Sequence, residues 1–138
     1  MIQRIQTLFL LLASGAAFGA LAVPFASGTG GSLFSDGVYM ANDHIGLIVC
    51  FAVAGALTLA AIFLYKTRKV QSRLAAFSAV ATLAAVGFGG WVYWKSGALA
   101  TGWSFWVALP AAVVILALLA RYYIRKDENL VRSMDRLR

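Results

Sequence analysis

The sequence is poor in the residues that most catalytic and metal sites use. Its 138 residues include one histidine, one cysteine and five acidic residues. Cys50 has no partner for a disulfide within the chain, so we interpret it as a packing residue. We interpret His44 as a surface residue that caps a helix, because His44 and Asp43 are too few ligands for zinc; Asn42 or Asp43 is also predicted to cap the second helix. Gly-rich phosphate loops, nucleophile elbows and paired cysteines are also missing, so the sequence predicts neither an enzyme nor a cofactor or metal site.

Charge is scarce inside four long apolar stretches. Hydrophobic residues make up 62% of the chain and charged residues 12%, with a mean hydropathy of +0.82, whereas soluble domains average about 45–50% and about 25%. The stretches cover residues 5–25, 44–65, 74–94 and 103–124, followed by a tail over 125–138. Each is long enough to cross a bilayer as a helix. None has an ionisable side chain near its centre, which disfavours proton-coupled transporters, charged-substrate pumps and membrane proteases.

We predict an all-α integral membrane four-helix bundle with up-down-up-down topology, because short links make neighbouring helices antiparallel. Glycines at four-residue spacing, such as Gly15 and Gly19, let helices approach closely within one chain or between two, so a homo-oligomer is an open alternative. The first link, residues 26–43, is rich in Gly and Ser and is predicted to be an irregular loop. Pro24 is predicted to end the first helix, and Pro110 to kink the fourth.

A few hydroxyl side chains interrupt the apolar stretches. They are Ser14, Thr58, Ser78 and Thr82. A Ser or Thr within a helix can donate its hydroxyl to the backbone one turn earlier. We therefore interpret all of them as bonded to their own helices.

Basic residues concentrate in two segments. The second link and the tail carry Lys66, Arg68, Lys69, Arg73, Arg125, Lys126, Arg132, Arg136 and Arg138. The first and third links carry only Lys95, with Asp36 and Asp43. Short loops rich in Lys and Arg stay in the cytoplasm, so both termini are predicted to be cytoplasmic. The net charge of +7 is thereby interpreted as an orientation signal, and no nucleic-acid partner is predicted.

The tail is predicted to form a short amphipathic cytoplasmic helix. At helical spacing one side carries Leu130, Val131, Met134 and Leu137, and the other carries Arg132, Asp135 and Arg136. Glu128 is placed to pair with Arg132 one turn on. The helix could lie on anionic lipid, dock on a protein partner or fold back under the bundle. The acids in the tail weaken a simple lipid anchor, so ion pairing with protein competes with it, and a plain topology anchor is a further alternative.

Aromatic residues cluster at the predicted outer ends of the third and fourth spans. They are Trp91, Tyr93, Trp94, Trp103, Phe105 and Trp106. Amphipathic rings favour the headgroup level of a bilayer, so we interpret them as an interfacial belt. A platform for an apolar ligand is the alternative.

Three segments resemble a known family. "MIQRIQTLFLLLA", "FLYKTRKVQSRL" and "RKDENLVRSMDRLR" are similar to small four-span membrane proteins of Bacteroidota catalogued only as a domain of unknown function. Members of that family begin with "MIQRIQT" and end in a "KDE-LVRS-DRLR" pattern. The chain departs from the pattern at Thr67, where Asn is frequent, and at Met134, where Ala is usual. The resemblance implies a multi-pass protein of the bacterial inner membrane and no assigned activity.

These observations predict a non-catalytic accessory or scaffold protein that binds a protein partner or anionic lipid at its cytoplasmic surface. The predicted contact residues are Arg4, Lys66, Arg68, Lys69, Lys126, Asp127, Glu128, Arg132, Asp135 and Arg136. The alternative is a binder or carrier of an apolar small molecule, such as a quinone, lipid or pigment, in the outer aromatic region. A pore formed by an oligomer is disfavoured, because no span carries a polar stripe.

Overall fold

Long runs of Ala, Leu and Val without a breaker form four helices in the computed structural model. The structure describes residues 2–29, 36–97 and 99–135, except for the side chains of residues 2–4 and 135. The helices are α1 (Ile2–Gly19), α2 (Ile45–Phe63), α3 (Arg68–Ser96) and α4 (Ala108–Asp135). Three strands stand between them: β1 (Pro24–Thr29), β2 (Val38–Met40) and β3 (Leu99–Trp103).

Each helix packs against two others, so the four close into a ring of contacts: α1 with α2, α2 with α3, α3 with α4, and α4 with α1. Three clusters of buried residues fill the ring. One contains Leu10, Ala61, Ala75 and Ala120; the next contains Ala17, Ala54 and Val113; the last contains Ala20, Phe25, Ala41, Leu47, Phe51 and Ala85. Alanine dominates these contacts because small side chains let helix backbones approach closely.

Hydroxyl groups join three of the helices in the middle of the bundle. Thr58 donates to the carbonyls of Ala54 and Gly55 on its own helix, as predicted. Ser14 of α1 instead donates to the Gly55 carbonyl at 3.2 Å, and Ser78 of α3 donates to the Ala54 carbonyl at 3.0 Å. The prediction that each hydroxyl bonds to its own helix is therefore wrong for Ser14 and Ser78, which connect their helices to α2.

Length and composition make this a membrane protein. Among the described residues, three segments are long and apolar enough to cross a bilayer: Ile45–Phe63, Arg68–Ser96 and Phe105–Met134. The first predicted span, residues 5–25, is shorter than expected, because α1 ends at Gly19 and its apolar part covers Ile5–Gly19. Pro24 begins β1, and a proline cannot donate the backbone hydrogen bond that a continuing helix would need.

A small antiparallel sheet lies at one end of the bundle, which corrects the prediction of an all-α fold with an irregular first link. Its strand order is β2-β1-β3. The close approach of β1 and β3 requires glycine at position 28, because a Cβ there would lie 2.5 Å from the Leu99 carbonyl oxygen. We call this the sheet end of the bundle and the opposite end the charged end.

The fourth helix differs from its prediction in two ways. Pro110 lies in its first turn, where no backbone donor is needed, so the predicted kink has no cause there. The helix then continues without a break to Asp135, so the tail is an extension of α4 and not a separate short helix. The apolar side chains of Leu130, Val131 and Met134 are exposed, so the described part of the tail does not fold back under the bundle.

Candidate functional site

The link between α2 and α3 lies beside the last turns of α4 and forms a groove at the charged end. The helix α2 ends at Phe63 and α3 begins at Arg68, so the chain reverses within residues 64–67. The groove has a volume of about 610 Å³. Its lining consists of Lys66, Thr67, Arg68, Lys69, Val70, Glu128, Val131 and Arg132. We call it the charged groove.

An ion pair joins the two walls of the groove. Arg68 Nη1 lies 3.2 Å from Asp127 Oδ2 and donates a hydrogen bond to the Asp127 main-chain oxygen at 3.4 Å. The buried Oδ2 atom accepts no aligned hydrogen bond within the described residues, so the attraction between the two side chains is that of opposite charges. The predicted pair along α4 is also confirmed, with Arg132 Nη2 donating to Glu128 Oε1 at 2.9 Å.

These pairs leave the groove with an excess of positive charge. Lys66 and Lys69 have no carboxylate within ion-pair distance in the part of the chain that the structure describes. Lys66 precedes the first turn of α3 and Lys69 lies within it, and that turn contains no acidic residue. The Thr67 hydroxyl does not cap that turn but donates to the Leu64 carbonyl at 3.3 Å. Partial positive charge at a helix start adds to that of the lysines, so the groove attracts anions.

The structure brings together half of the predicted contact residues. Lys66, Arg68, Lys69, Glu128 and Arg132 line the charged groove. Asp127 stands beside it, and Lys126 is exposed on α4 outside the lining. Three predicted contacts remain undescribed: the side chains of Arg4 and Asp135, and the whole of Arg136, lie outside the described residues.

A second concave site, which we call the aromatic cavity, lies at the sheet end and has a volume of about 260 Å³. Its buried floor comprises Phe25, Leu47, Phe51, Ala85, Gly89 and Pro110. Its more exposed lining comprises Val86, Gly90, Trp103 and Val107. The half-buried rings of Tyr39 and Tyr93 complete the wall. A cavity of about 150 Å³ is enough to hold a benzene molecule, so this one has room for a larger apolar group.

The two tyrosine hydroxyls in this wall are already used by the fold. Tyr39 donates to the Gly89 carbonyl at 2.8 Å, and the Tyr93 oxygen accepts from the Ala100 backbone N–H at 2.7 Å. Burial, and to a smaller extent the nearby Asp43 carboxylate, together raise the pKa of Tyr39 to about 12. Tyr39 lies in β2, outside the spanning helices, and it stays neutral at physiological pH.

Aromatic rings form a continuous chain around the cavity. Phe51 stacks with Phe25 at a centroid distance of 6.2 Å, and Phe25 meets Tyr39 at 6.3 Å. Tyr39 meets Tyr93 at 5.9 Å, and Tyr93 meets Trp103 at 5.5 Å. Of these five residues, only Tyr93 and Trp103 belong to the predicted aromatic belt. The others, Phe25, Tyr39 and Phe51, come from β1, β2 and α2, and no local pattern places them beside the third and fourth helices.

The remaining polar residues at the sheet end have local roles. His44 caps α2, with its Nδ1 accepting from the Gly46 N–H at 3.1 Å, which confirms the predicted His44 cap; the predicted cap by Asn42 or Asp43 is wrong. Asp43 accepts from the Met40 N–H at 2.7 Å. Lys95 lies over the Trp91 ring at 4.9 Å from its centroid. No group of three or more potential metal ligands occurs among the described residues.

The fold and its two sites thus define a small helical membrane protein. The chain belongs to the family described as "Domain of unknown function (DUF4293)", whose model matches residues 2–137. This match confirms the predicted resemblance to a family of unknown function. Comparisons with curated proteins and with solved structures find no match to the chain.

Proposed function

We propose that the protein is a non-catalytic accessory or scaffold protein of the inner membrane of a bacterium of the Bacteroidota. In this proposal its charged groove contacts anionic lipid headgroups or a protein partner in the cytoplasm. The observation that carries the proposal is the groove itself. Two distant segments, both rich in charge, meet across about 610 Å³ of open volume and leave Lys66 and Lys69 without a carboxylate partner there.

The packing of the helices supports the membrane topology that this function needs. Leu10 of α1 shares a cluster with Ala61 near the end of α2, whereas Ala20 shares one with Leu47 near its start. Neighbouring helices with such contacts run in opposite directions, which supports an up-down-up-down bundle. The second link and the C-terminal tail then lie on one membrane face, and their Lys and Arg residues favour the cytoplasm.

Charge sets the scale of the interaction with lipid. Each Lys or Arg near an anionic membrane surface contributes about 1 kcal/mol. Because Arg68 and Arg132 already pair with acids, we assign the lipid interaction to Lys66 and Lys69. Together they contribute about 2 kcal/mol, which corresponds to roughly a thirtyfold preference for anionic over zwitterionic headgroups.

Lipid competition tests the proposal. The wild type and a Lys66→Gln/Lys69→Gln variant are placed in micelles with equal amounts of phosphatidylglycerol and phosphatidylcholine, and bound lipids are counted by native mass spectrometry. We expect the preference for phosphatidylglycerol to fall about thirtyfold in the variant. An Arg125→Gln/Lys126→Gln variant is the matched control, because it removes the same charge from exposed positions of the same end that lie outside the groove; an equal fall in this variant would assign the lipid preference to the whole charged end and not to the groove.

A protein partner gives a different result in the same variants. In that case the lipid preference stays unchanged, and a co-purifying protein is lost from the Lys66→Gln/Lys69→Gln variant but kept by the control. Equal lipid profiles and equal co-purifying proteins in all forms would contradict the proposed role of the groove.

The aromatic cavity supports a second candidate function, the binding or carriage of an apolar small molecule such as a quinone, a lipid or a pigment. Ligand sites are typically concave and mainly apolar, and the lining of this cavity fits that description. Native mass spectrometry of protein extracted gently from its membrane tests this function. We expect an apolar adduct of defined mass, and a bare protein under the mildest extraction would contradict it.

A further inference from the structure

The aromatic cavity opens on the outer surface of the bundle, between α3 and the segment that joins β3 to α4. Its floor is closed, with Leu47 and Phe51 each 2% exposed. The residues at its mouth are open: Val86 is 50% exposed, Trp103 64% and Val107 42%. Because the opening is flanked by apolar side chains on the side of a membrane bundle, we expect it to face lipid and not water.

The mouth lacks a side chain at one position. Gly90 of α3 lines the cavity and is exposed, and a Cβ built there meets no atom within 4 Å. Gly87 of α3 has the same open surroundings but does not line the cavity. The Cβ of a larger side chain therefore fits at both positions, and we expect such a side chain to narrow the mouth at position 90 and to leave it free at position 87.

The chemistry of the wall selects the type of occupant. The Tyr39 and Tyr93 hydroxyls are engaged with backbone groups, and the remaining lining consists of hydrocarbon, aromatic rings and glycine, with one indole in Trp103. Such a wall offers little to a polar headgroup. A hydrocarbon group that fills the cavity makes dispersion contacts with this wall. When the cavity is empty, the wall lacks those contacts, because the surrounding lipid does not supply them.

We infer that the cavity receives a hydrocarbon chain directly from the bilayer, through the sideways opening beside Gly90. The inference rests on the second candidate function above and specifies its ligand chemistry and its route of entry. The chain comes either from the acyl tail of a phospholipid or from the prenyl tail of a lipid-soluble molecule. With about 260 Å³ available, the cavity takes a segment of the chain while the headgroup stays outside.

Photolabelling tests both the occupant and the route. The full chain is reconstituted into vesicles that contain a phospholipid with a diazirine near the end of one acyl tail, and adducts are located by mass spectrometry after irradiation. A second preparation uses a prenyl chain with the same group, to distinguish the two sources. We expect adducts on the floor residues Leu47 and Phe51. Val80 and Leu83, exposed on the surface of α3, calibrate labelling by ordinary lipid.

The two glycines provide the variants. We expect Gly90→Leu to lower labelling of the floor about tenfold, which corresponds to a steric penalty of roughly 1.4 kcal/mol, and Gly87→Leu to leave it at the wild-type level. An unlabelled floor beside a labelled surface in wild-type protein would overturn the inference. Equal floor labelling in Gly90→Leu and wild type would overturn the route. If an adduct of defined mass still co-purifies in either case, the second candidate function survives.

Discussion

The ion pair between Arg68 and Asp127 should hold the start of α3 to the end of α4. The two side chains are 27% and 16% exposed, and their charges lie 3.2 Å apart. At this distance, two unit charges attract with about 1.3 kcal/mol in bulk water and about 5 kcal/mol at the effective dielectric constant near a protein surface. Desolvation of both groups offsets a large part of that attraction. We therefore expect a net coupling energy of about 1–2 kcal/mol.

A double-mutant cycle measures this coupling. Arg68→Gln, Asp127→Asn and the combined variant are unfolded with SDS in mixed micelles, and the free energy of unfolding is followed by far-UV circular dichroism. Arg68→Gln alone should cost more than Asp127→Asn, because it also removes the hydrogen bond to the Asp127 carbonyl and leaves a poorly exposed carboxylate without its partner.

The pair between Glu128 and Arg132 is the matched control. It lies within α4 at one-turn spacing, and Arg132 is 60% exposed. Its coupling energy should be about 0.3–0.5 kcal/mol and should vanish in high salt, whereas most of the Arg68–Asp127 coupling should persist. If the Arg68–Asp127 cycle is additive to within about 0.3–0.5 kcal/mol, the ion pair does not join the two helices and the reasoning about the charged end is refuted.

Three further predictions concern the sheet end and the centre of the bundle. Gly28→Ala should destabilise the protein by about 1–3 kcal/mol, because its Cβ would lie 2.5 Å from a backbone oxygen. Gly102→Ala should be tolerated, because its Cβ would lie 3.6 Å from its nearest neighbour. Equal unfolding free energies for the two variants would show that β1 and β3 approach each other less closely. Ser14→Ala and Ser78→Ala should each cost about 0.6 kcal/mol, the average for hydrogen bonds between membrane helices, and a cost for neither in SDS unfolding would count against their connecting role. Because the pKa of Tyr39 is raised to about 12 from 10.0, its contribution to stability should be complete below pH 10 and lost as the pH rises from 10 to about 12. Tyr39→Phe should flatten the plot of unfolding free energy against pH over that range. Parallel plots for the variant and the wild type would exclude the shift.

The helical part of the fold was predictable because each span is defined locally. A run of about 20 apolar residues forms a spanning helix independently of the neighbouring segments. Accordingly, α2 begins and ends within a few residues of its predicted limits, and α3 does so at its end but begins earlier, in its basic segment. The sheet was not predictable for the opposite reason. Its strands have 6, 3 and 5 residues, and β1 pairs with β3 far along the chain, so no local alternation indicates them.

The two sites were predictable to different degrees. The pairing of the basic link with the tail followed from topology and charge, and Lys66, Lys69 and Glu128 do line one groove. The aromatic cavity was anticipated only through Tyr93, in its wall, and Trp103, at its mouth. The floor of the cavity includes Phe25, which is positioned by β1. The cavity was therefore not predictable without the sheet, which the sequence pattern did not indicate.

Accessibility of single cysteines in whole cells is the most direct test of the central claim, that the charged groove faces the cytoplasm. Cys50 is first replaced by Ala. Lys69→Cys then marks the charged end and Thr101→Cys, exposed in β3, marks the sheet end. With the outer membrane opened, a membrane-impermeant maleimide should label Thr101→Cys at once and Lys69→Cys only after the inner membrane is lysed. Immediate labelling of Lys69→Cys in intact spheroplasts would contradict the account.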